Sequence, residues 1–214
     1  MTINSVTNDV LSLQIVIQEA FSVALAEDLE TKVDLNKLGK RTEDQFRNNE
    51  RSKKWVSALS NSLLDQTKSL SSLSAVHLGF HKGNKGNRKV FGLNEILFDI
   101  VVAEMVTINS AGNGHPNSIK RLEAIKKAKW VVESELCSND SKKILLDLNK
   151  LILAKADNKL LVISCASANL QGWTERVLEM LSEKDDANIY LAVVPHPNSW
   201  GDKCESDTCV IKIK

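Results

Sequence analysis

Several things are scarce in this 214-residue chain, and each scarcity argues against a class of protein. Its four cysteines, Cys137, Cys165, Cys204 and Cys209, include no CxxC pair, which argues against a structural zinc site. Cys165 sits in an apolar run and reads as a small buried hydrophobe. Cys204 and Cys209 flank a polar loop that an oxidising compartment could bridge. The opening segment, residues 1–13, lacks the basic stretch and apolar core of a secretory leader, so free thiols and a cytoplasmic location are expected. No apolar run is expected to reach the length that spans a bilayer. An excess of one charge is missing too: 28 basic and 27 acidic side chains leave a net charge of +1, so any nucleic acid must be held by a local patch.

What is present is an ordinary folded composition, 43% hydrophobic and 26% charged, in a length that suits one large domain or a domain with a helical annex. Residues 1–69 read as a helical region. Leu11, Ile15, Ile17, Ala20, Phe21, Ala24 and Leu25 recur at helical spacing up to the acidic Glu27 and Asp28, and Phe46, Trp55, Val56, Leu59, Leu63 and Leu64 mark one side of a second helix over 41–67. From residue 70 the texture changes. A strand over 73–80 leads into a glycine-rich basic turn over 81–89, then a strand around 96–102 with Asp99 in its middle. After a loop, Asn117 or Ser118 caps a short basic helix ending near Lys127. There follow a strand over 129–136, an amphipathic helix over 141–156, an apolar strand over 159–165, a helix over 170–184, an apolar strand over 189–194 and a short edge strand after 209. This alternation predicts an α/β core over 70–214, a mixed central sheet flanked by helices.

Carboxylates stand where an apolar core is expected. Asp99 interrupts a strand otherwise built of Ile, Leu, Phe and Val. Glu133 and Glu135 are two residues apart on a strand and so share one face, together with Val131 and Lys129. Glu95 lies four residues before Asp99. Taken singly, each acid reads as an edge residue facing solvent or as a partner for a buried backbone group. As a set they repel one another and lose hydration, and a hard divalent cation offsets that directly. Open coordination positions on such an ion would take a phosphate oxygen and a water.

Phe98-Asp99, Val132-Glu133-Ser134-Glu135 and Asp147-Leu-Asn-Lys150-Leu together resemble the PD-(D/E)xK nuclease superfamily, which includes many type II restriction endonucleases. The resemblance covers roughly residues 70–195. It implies a restriction endonuclease-like fold and Mg²⁺-dependent hydrolysis of DNA phosphodiester bonds, with DNA, most often double-stranded, as partner and frequently a homodimer as the working unit. It gives Asp99 the role of the first acid and Glu133 that of the second, with Glu135 where a lysine usually stands and therefore a third ligand or a base. Some restriction enzymes carry glutamate there. Lys150 then reads as a displaced lysine or as a solvated helix residue, Lys129 as a weaker substitute, and Glu95 as an extra acid. A chain of the same fold without a working lysine would instead be a binding or regulatory module.

Two basic clusters are candidate phosphate contacts: Lys82, Lys85, Arg88 and Lys89 in the glycine-rich turn, and Lys120, Arg121, Lys126 and Lys127 ahead of the third strand. Each is also what an ordinary solvated turn or helix looks like. The turn is no P-loop, because no glycine-lysine-serine/threonine closes it before a helix. His115 and His196 read as loop histidines, and Trp130 and Trp173 as packing residues.

Overall fold

A computed structural model describes residues 8–29, 42–72, 74–87, 96–109, 121–136, 141–164, 168–182, 187–200 and 208–214. Two long helices come first, α1 (Asn8–Leu29) and α2 (Glu43–Ser69). The start of α2 is fixed by a capping box: Thr42 Oγ1 accepts from the Gln45 amide at 3.2 Å, and Gln45 Oε1 accepts from the Thr42 amide at 3.1 Å. The strands are β1 (His77–His81), β2 (Ile100–Asn109), β3 (Arg121–Glu135), β4 (Ala156–Ser164), β5 (Asn188–Val194) and β6 (Cys209–Lys212). Helix α3 (Ser141–Leu153) joins β3 to β4, and α4 (Ala168–Ser182) lies between β4 and β5.

The strands form one mixed sheet in the order β1-β2-β3-β4-β5-β6. The β1–β2, β2–β3 and β5–β6 pairs are antiparallel, whereas β3–β4 and β4–β5 are parallel, each bridged by a helix. The chain is therefore an α/β protein with an open sheet between helices. Alternate side chains feed two cores. On one face Ile100, Val102, Val132, Leu160, Val162 and Tyr190 pack under Ile17, Phe21, Trp55 and Leu59 of α1 and α2. On the other, Val101, Val131, Leu161, Ile163 and Leu191 pack under Ile144 and Leu148 of α3 and Leu178 of α4. The helices of residues 1–69 thus form one layer over the sheet. Their approach is close at Gly79 of β1, where a Cβ would come within 2.9 Å of Ser60 Oγ on α2.

Three expectations need correction. Residues 121–127 are not helix: Arg121 opens a 15-residue strand that pairs with β2 from Asn109 inward. Two extra residues, Lys126 and Lys129, have no partner in that ladder, and the bulges they make hide the alternation that marks a strand. Asp99 is not in the middle of a strand but one residue ahead of β2. Finally, α1 is long and apolar enough to cross a bilayer, with mean hydropathy 1.4 over Asn8–Asp28. Its apolar side is used inside the fold, where Leu13, Ile17, Ala20, Phe21 and Ala24 are buried against α2 and the sheet.

Trp200, after β5, is buried. Its Nε1 donates to the Pro195 carbonyl at 3.2 Å and its ring meets Phe21 edge-on at 5.1 Å. The Arg51 guanidinium lies 5.7 Å from that ring and pairs with Asp28 at 2.8 Å, tying α1, α2 and the segment after β5 together.

Candidate active site

Parallel strands β3, β4 and β5 share a carboxyl-terminal end, and antiparallel β2 begins at that same end. Open α/β sheets place their ligands at this edge, where loops rather than ladder bonds finish the backbone. Register pairs Ile100 with Val132 and so brings Asp99 level with Glu133. A sharp turn aims Asp99. The Phe98 amide donates to the Ile96 carbonyl at 2.7 Å around Leu97, whose φ of 62° is a conformation that residues with a Cβ rarely adopt. Asp99 Oδ2 then accepts from the Ser134 amide at 2.8 Å. The hydroxyl of Ser134 is held on the opposite face, accepting from Trp55 Nε1 at 3.1 Å.

Glu133 is buried, 2% exposed, on the α3 side of the sheet. Lys150 of α3 reaches back to it, with Nζ 3.1 Å from Glu133 Oε1 and 2.9 Å from Asp147 Oδ1. The contact with Glu133 is an ion pair with poor angles, and Oε1 is left buried without a hydrogen bond. Burial pushes the Glu133 carboxyl up to about 8, the charges of Asp99 and Asp147 push the same way, and Lys150 opposes them. The Lys150 ammonium is correspondingly held charged: its pKa is raised, burial working against the hydrogen bond it donates to Asp147 and the charge of Glu133.

Asp99, Glu133 and Lys150 are therefore brought together. Glu135 lies at the end of β3 on the same face as Glu133. Among the described residues no three acidic, histidine or cysteine side chains stand close enough to hold a metal, so Glu135 does not complete a three-carboxylate cage. Two carboxylates suffice for Mg²⁺, which commonly keeps several waters and takes its remaining oxygens from substrate phosphate. The donors fit such an ion: hard oxygens, mutual repulsion in the absence of a cation, and one buried oxygen with no hydrogen bond.

The other candidates are distributed unevenly. Lys82 and Lys85 are exposed in the turn after β1, and the pairing of His81 with Ile100 puts that turn at the same end of the sheet as Asp99. Arg121 stands at the far end of β3, twelve residues from Glu133, a separation of roughly 40 Å in an extended strand. Lys126 pairs with Glu104 at 2.6 Å, while Lys127 and Lys129 pair with Asp157 at 2.6 and 3.2 Å, so Lys129 is engaged away from the acids. Glu95, Arg88, Lys89 and Lys120 lie outside the described residues. Asp147 is the member that sequence reasoning did not assign. Its signal was the i, i+3 spacing to Lys150 on an amphipathic helix, a spacing that also occurs on ordinary solvated helices.

The fold and site define an α/β protein with a paired-carboxylate and lysine centre at the carboxyl edge of its sheet. No family model, no curated protein and no solved structure matches the chain.

Proposed function

We propose that this protein is a Mg²⁺-dependent endonuclease of the PD-(D/E)xK type that hydrolyses phosphodiester bonds in double-stranded DNA. The observation that carries the reading is the meeting of Asp99 from the head of β2, Glu133 from β3 and Lys150 from α3 at one edge of the sheet. The resemblance drawn from the sequence assigns an acid to each strand of such a hairpin, and the lysine missing beside Glu133 is replaced in space by Lys150.

Asp99 and Glu133 would hold the cation, which when bound supplies charge neutralisation at the phosphate and a more acidic water. Asp99 keeps its orientation through the Ser134 amide, so its carboxylate is fixed before substrate arrives. Lys150, held by Asp147, presents a positive charge to developing negative charge on the phosphate oxygens. Asp147 positions that lysine. Lys82 and Lys85 are placed to meet the backbone of a duplex lying across this end of the sheet.

The test is cleavage of supercoiled plasmid DNA with Mg²⁺ and with EDTA, for the native chain and for Glu133→Ala. The native chain nicks or linearises plasmid only with Mg²⁺, and the variant loses at least about a hundredfold in rate, the loss seen when one preorganised charge-stabilising group is removed. A folded native chain that binds Mg²⁺ but leaves DNA intact would overturn the reading and leave a binding module.

A further inference from the structure

Beside Asp99 and Glu133, around the end of β3, lies a cleft of about 510 Å³. One face of the first turns of α2 supplies Gln45, Asn48 and Asn49, the end of β3 supplies Ser134 and Glu135, and the segment after β5 supplies His196 and Asn198. Four of these side chains are carboxamides, each a donor and an acceptor side by side. His196 is set as a donor: its Nδ1 accepts from the Asn198 amide at 3.1 Å, so its proton is on Nε2, and burial lowers its pKa and keeps the ring neutral. A smaller cavity of about 210 Å³ shares Asn48 and Asn198 with the cleft and adds the exposed Arg47 at its rim.

A phosphate site is built from cations, and a hydrophobic ligand site from apolar walls. Glu135 is the one carboxylate in this lining and Leu136 its one apolar side chain; the rest are neutral polar groups, most of them carboxamides that offer donor and acceptor together, the pairing that reads adenine through N6 and N7. It also opens at the edge that carries Asp99, whose carboxylate is bonded to the backbone of Ser134 in the cleft wall. We propose that this amide-lined cleft reads a base edge of the duplex DNA whose backbone is cut at Asp99 and Glu133, with Asn48 and Asn49 as the specificity-determining side chains and Arg47 on the flanking phosphate. The proposal rests on the endonuclease reading and supplies what that reading lacks, a source of sequence preference.

Asn48 and Asn49 suit the test. Ser52 bonds the carbonyl of Asn48, not its side chain, so the substitutions leave the helix intact, whereas Gln45 belongs to the capping box and is better left alone. The full chain is equilibrated with a library of duplex DNA carrying a randomised segment, in Ca²⁺ in place of Mg²⁺, and bound DNA is sequenced. The native chain is expected to enrich a short motif. Asn48→Ala/Asn49→Ala is expected to lose preference at one or two positions of that motif by about 5- to 100-fold while keeping the rest. An Arg47→Ala chain should weaken binding to all sequences alike. Enrichment of the same motif by the double variant, or no enrichment by the native chain, overturns the proposal. Mg²⁺-dependent plasmid cleavage is measured separately on the same preparation. Cleavage without enrichment removes the base-reading cleft and leaves the endonuclease. Enrichment lost in the double variant, without any cleavage, keeps the cleft as a DNA reader and removes the endonuclease.

Discussion

Two clusters of acid and lysine lie along the β3–β4 seam, and they behave as opposites. At the carboxyl edge, Glu133 is buried beside Asp99 and Asp147 with one lysine among three acids, and its carboxyl is pushed up to about 8. Further back along the seam, Asp157 has two lysines to itself, Lys127 at 2.6 Å and Lys129 at 3.2 Å. There burial works against the charge, but hydrogen bonds and charge from both lysines win and hold Asp157 below the usual carboxylate range. The first cluster is short of positive charge and centres on a buried carboxyl. The second has two lysines for its one acid, and Asp157 is one-third exposed. Only the first would gain from a cation that the protein itself does not provide, which is why similar residue types read as a site in one place and as surface pairing in the other.

The largest effect that separates the two is on cleavage. Lys150→Met removes the cation facing Glu133 and Asp147 and is expected to slow Mg²⁺-dependent plasmid cleavage by about 10²- to 10³-fold. Lys127→Met/Lys129→Met should stay within about twofold of the native rate, since the Asp157 pairing is an exposed ion pair of the kind worth about 0–1 kcal/mol. Equal losses in the two variants would erase the distinction.

Next in size is the pH dependence of stability, and the two clusters predict opposite signs. Glu133 has a folded pKa above its unfolded one, so the folded state holds the extra proton between about 4.5 and about 8. Its contribution is present below the lower value and is lost as pH rises through the upper, at up to about 1.4 kcal/mol per pH unit. Urea unfolding without divalent ions should therefore give a native chain that weakens from pH 5 to 8 and a Glu133→Gln chain that does not. At the proposed site saturating Mg²⁺ should flatten that slope, because it binds only the ionised carboxyl and leaves native and unfolded states with the same proton count: its affinity should climb about tenfold per pH unit towards pH 8. Asp157 works the other way. Its depressed pKa stabilises the fold above the ordinary carboxylate range and is lost as pH falls through the folded value, so Lys127→Ala should cost no more than about 1 kcal/mol at pH 7 and less at pH 3. A native chain with no slope between pH 5 and 8 would mean that Glu133 is not strained by its neighbours.

This difference explains what could be read without coordinates. The element order from β3 onward was legible because each buried strand is a plain apolar run, as in Leu160–Ile163 and Ile189–Val194, and α3 carries Ile144, Leu148 and Leu151 at helical spacing. The placing of Asp99 beside Glu133 was legible because each acid stands among apolar neighbours, although Asp99 lies one residue ahead of β2 and not within it. The start of β3 was not. Its Leu122-Glu-Ala-Ile-Lys-Lys-Ala run favours helix locally, and pairing with β2, together with bulges at Lys126 and Lys129, overrode that preference. The amide cleft was invisible for another reason. Asn48, Asn49, His196 and Asn198 come from segments nearly 150 residues apart, and none is unusual where it stands in the sequence.

The smallest expected effect bears on how Asp99 is aimed. Leu97 is 82% exposed, so its side chain contributes little burial, yet its backbone sits at φ 62° immediately ahead of the acid. Such a conformation costs about 1–3 kcal/mol for a residue with a Cβ. Leu97→Gly removes that cost but gives the unfolded chain more freedom, worth about 0.5–1 kcal/mol the other way. A net stabilisation of about 1 kcal/mol is expected in urea unfolding. If the turn fixes Asp99, the same variant cleaves plasmid more slowly, because the glycine relaxes the geometry that presents the carboxylate beside Glu133, and added Mg²⁺ only partly restores the rate. Stabilisation with unchanged cleavage would show that the Ser134 amide alone orients Asp99 and that the strained turn serves only to start β2.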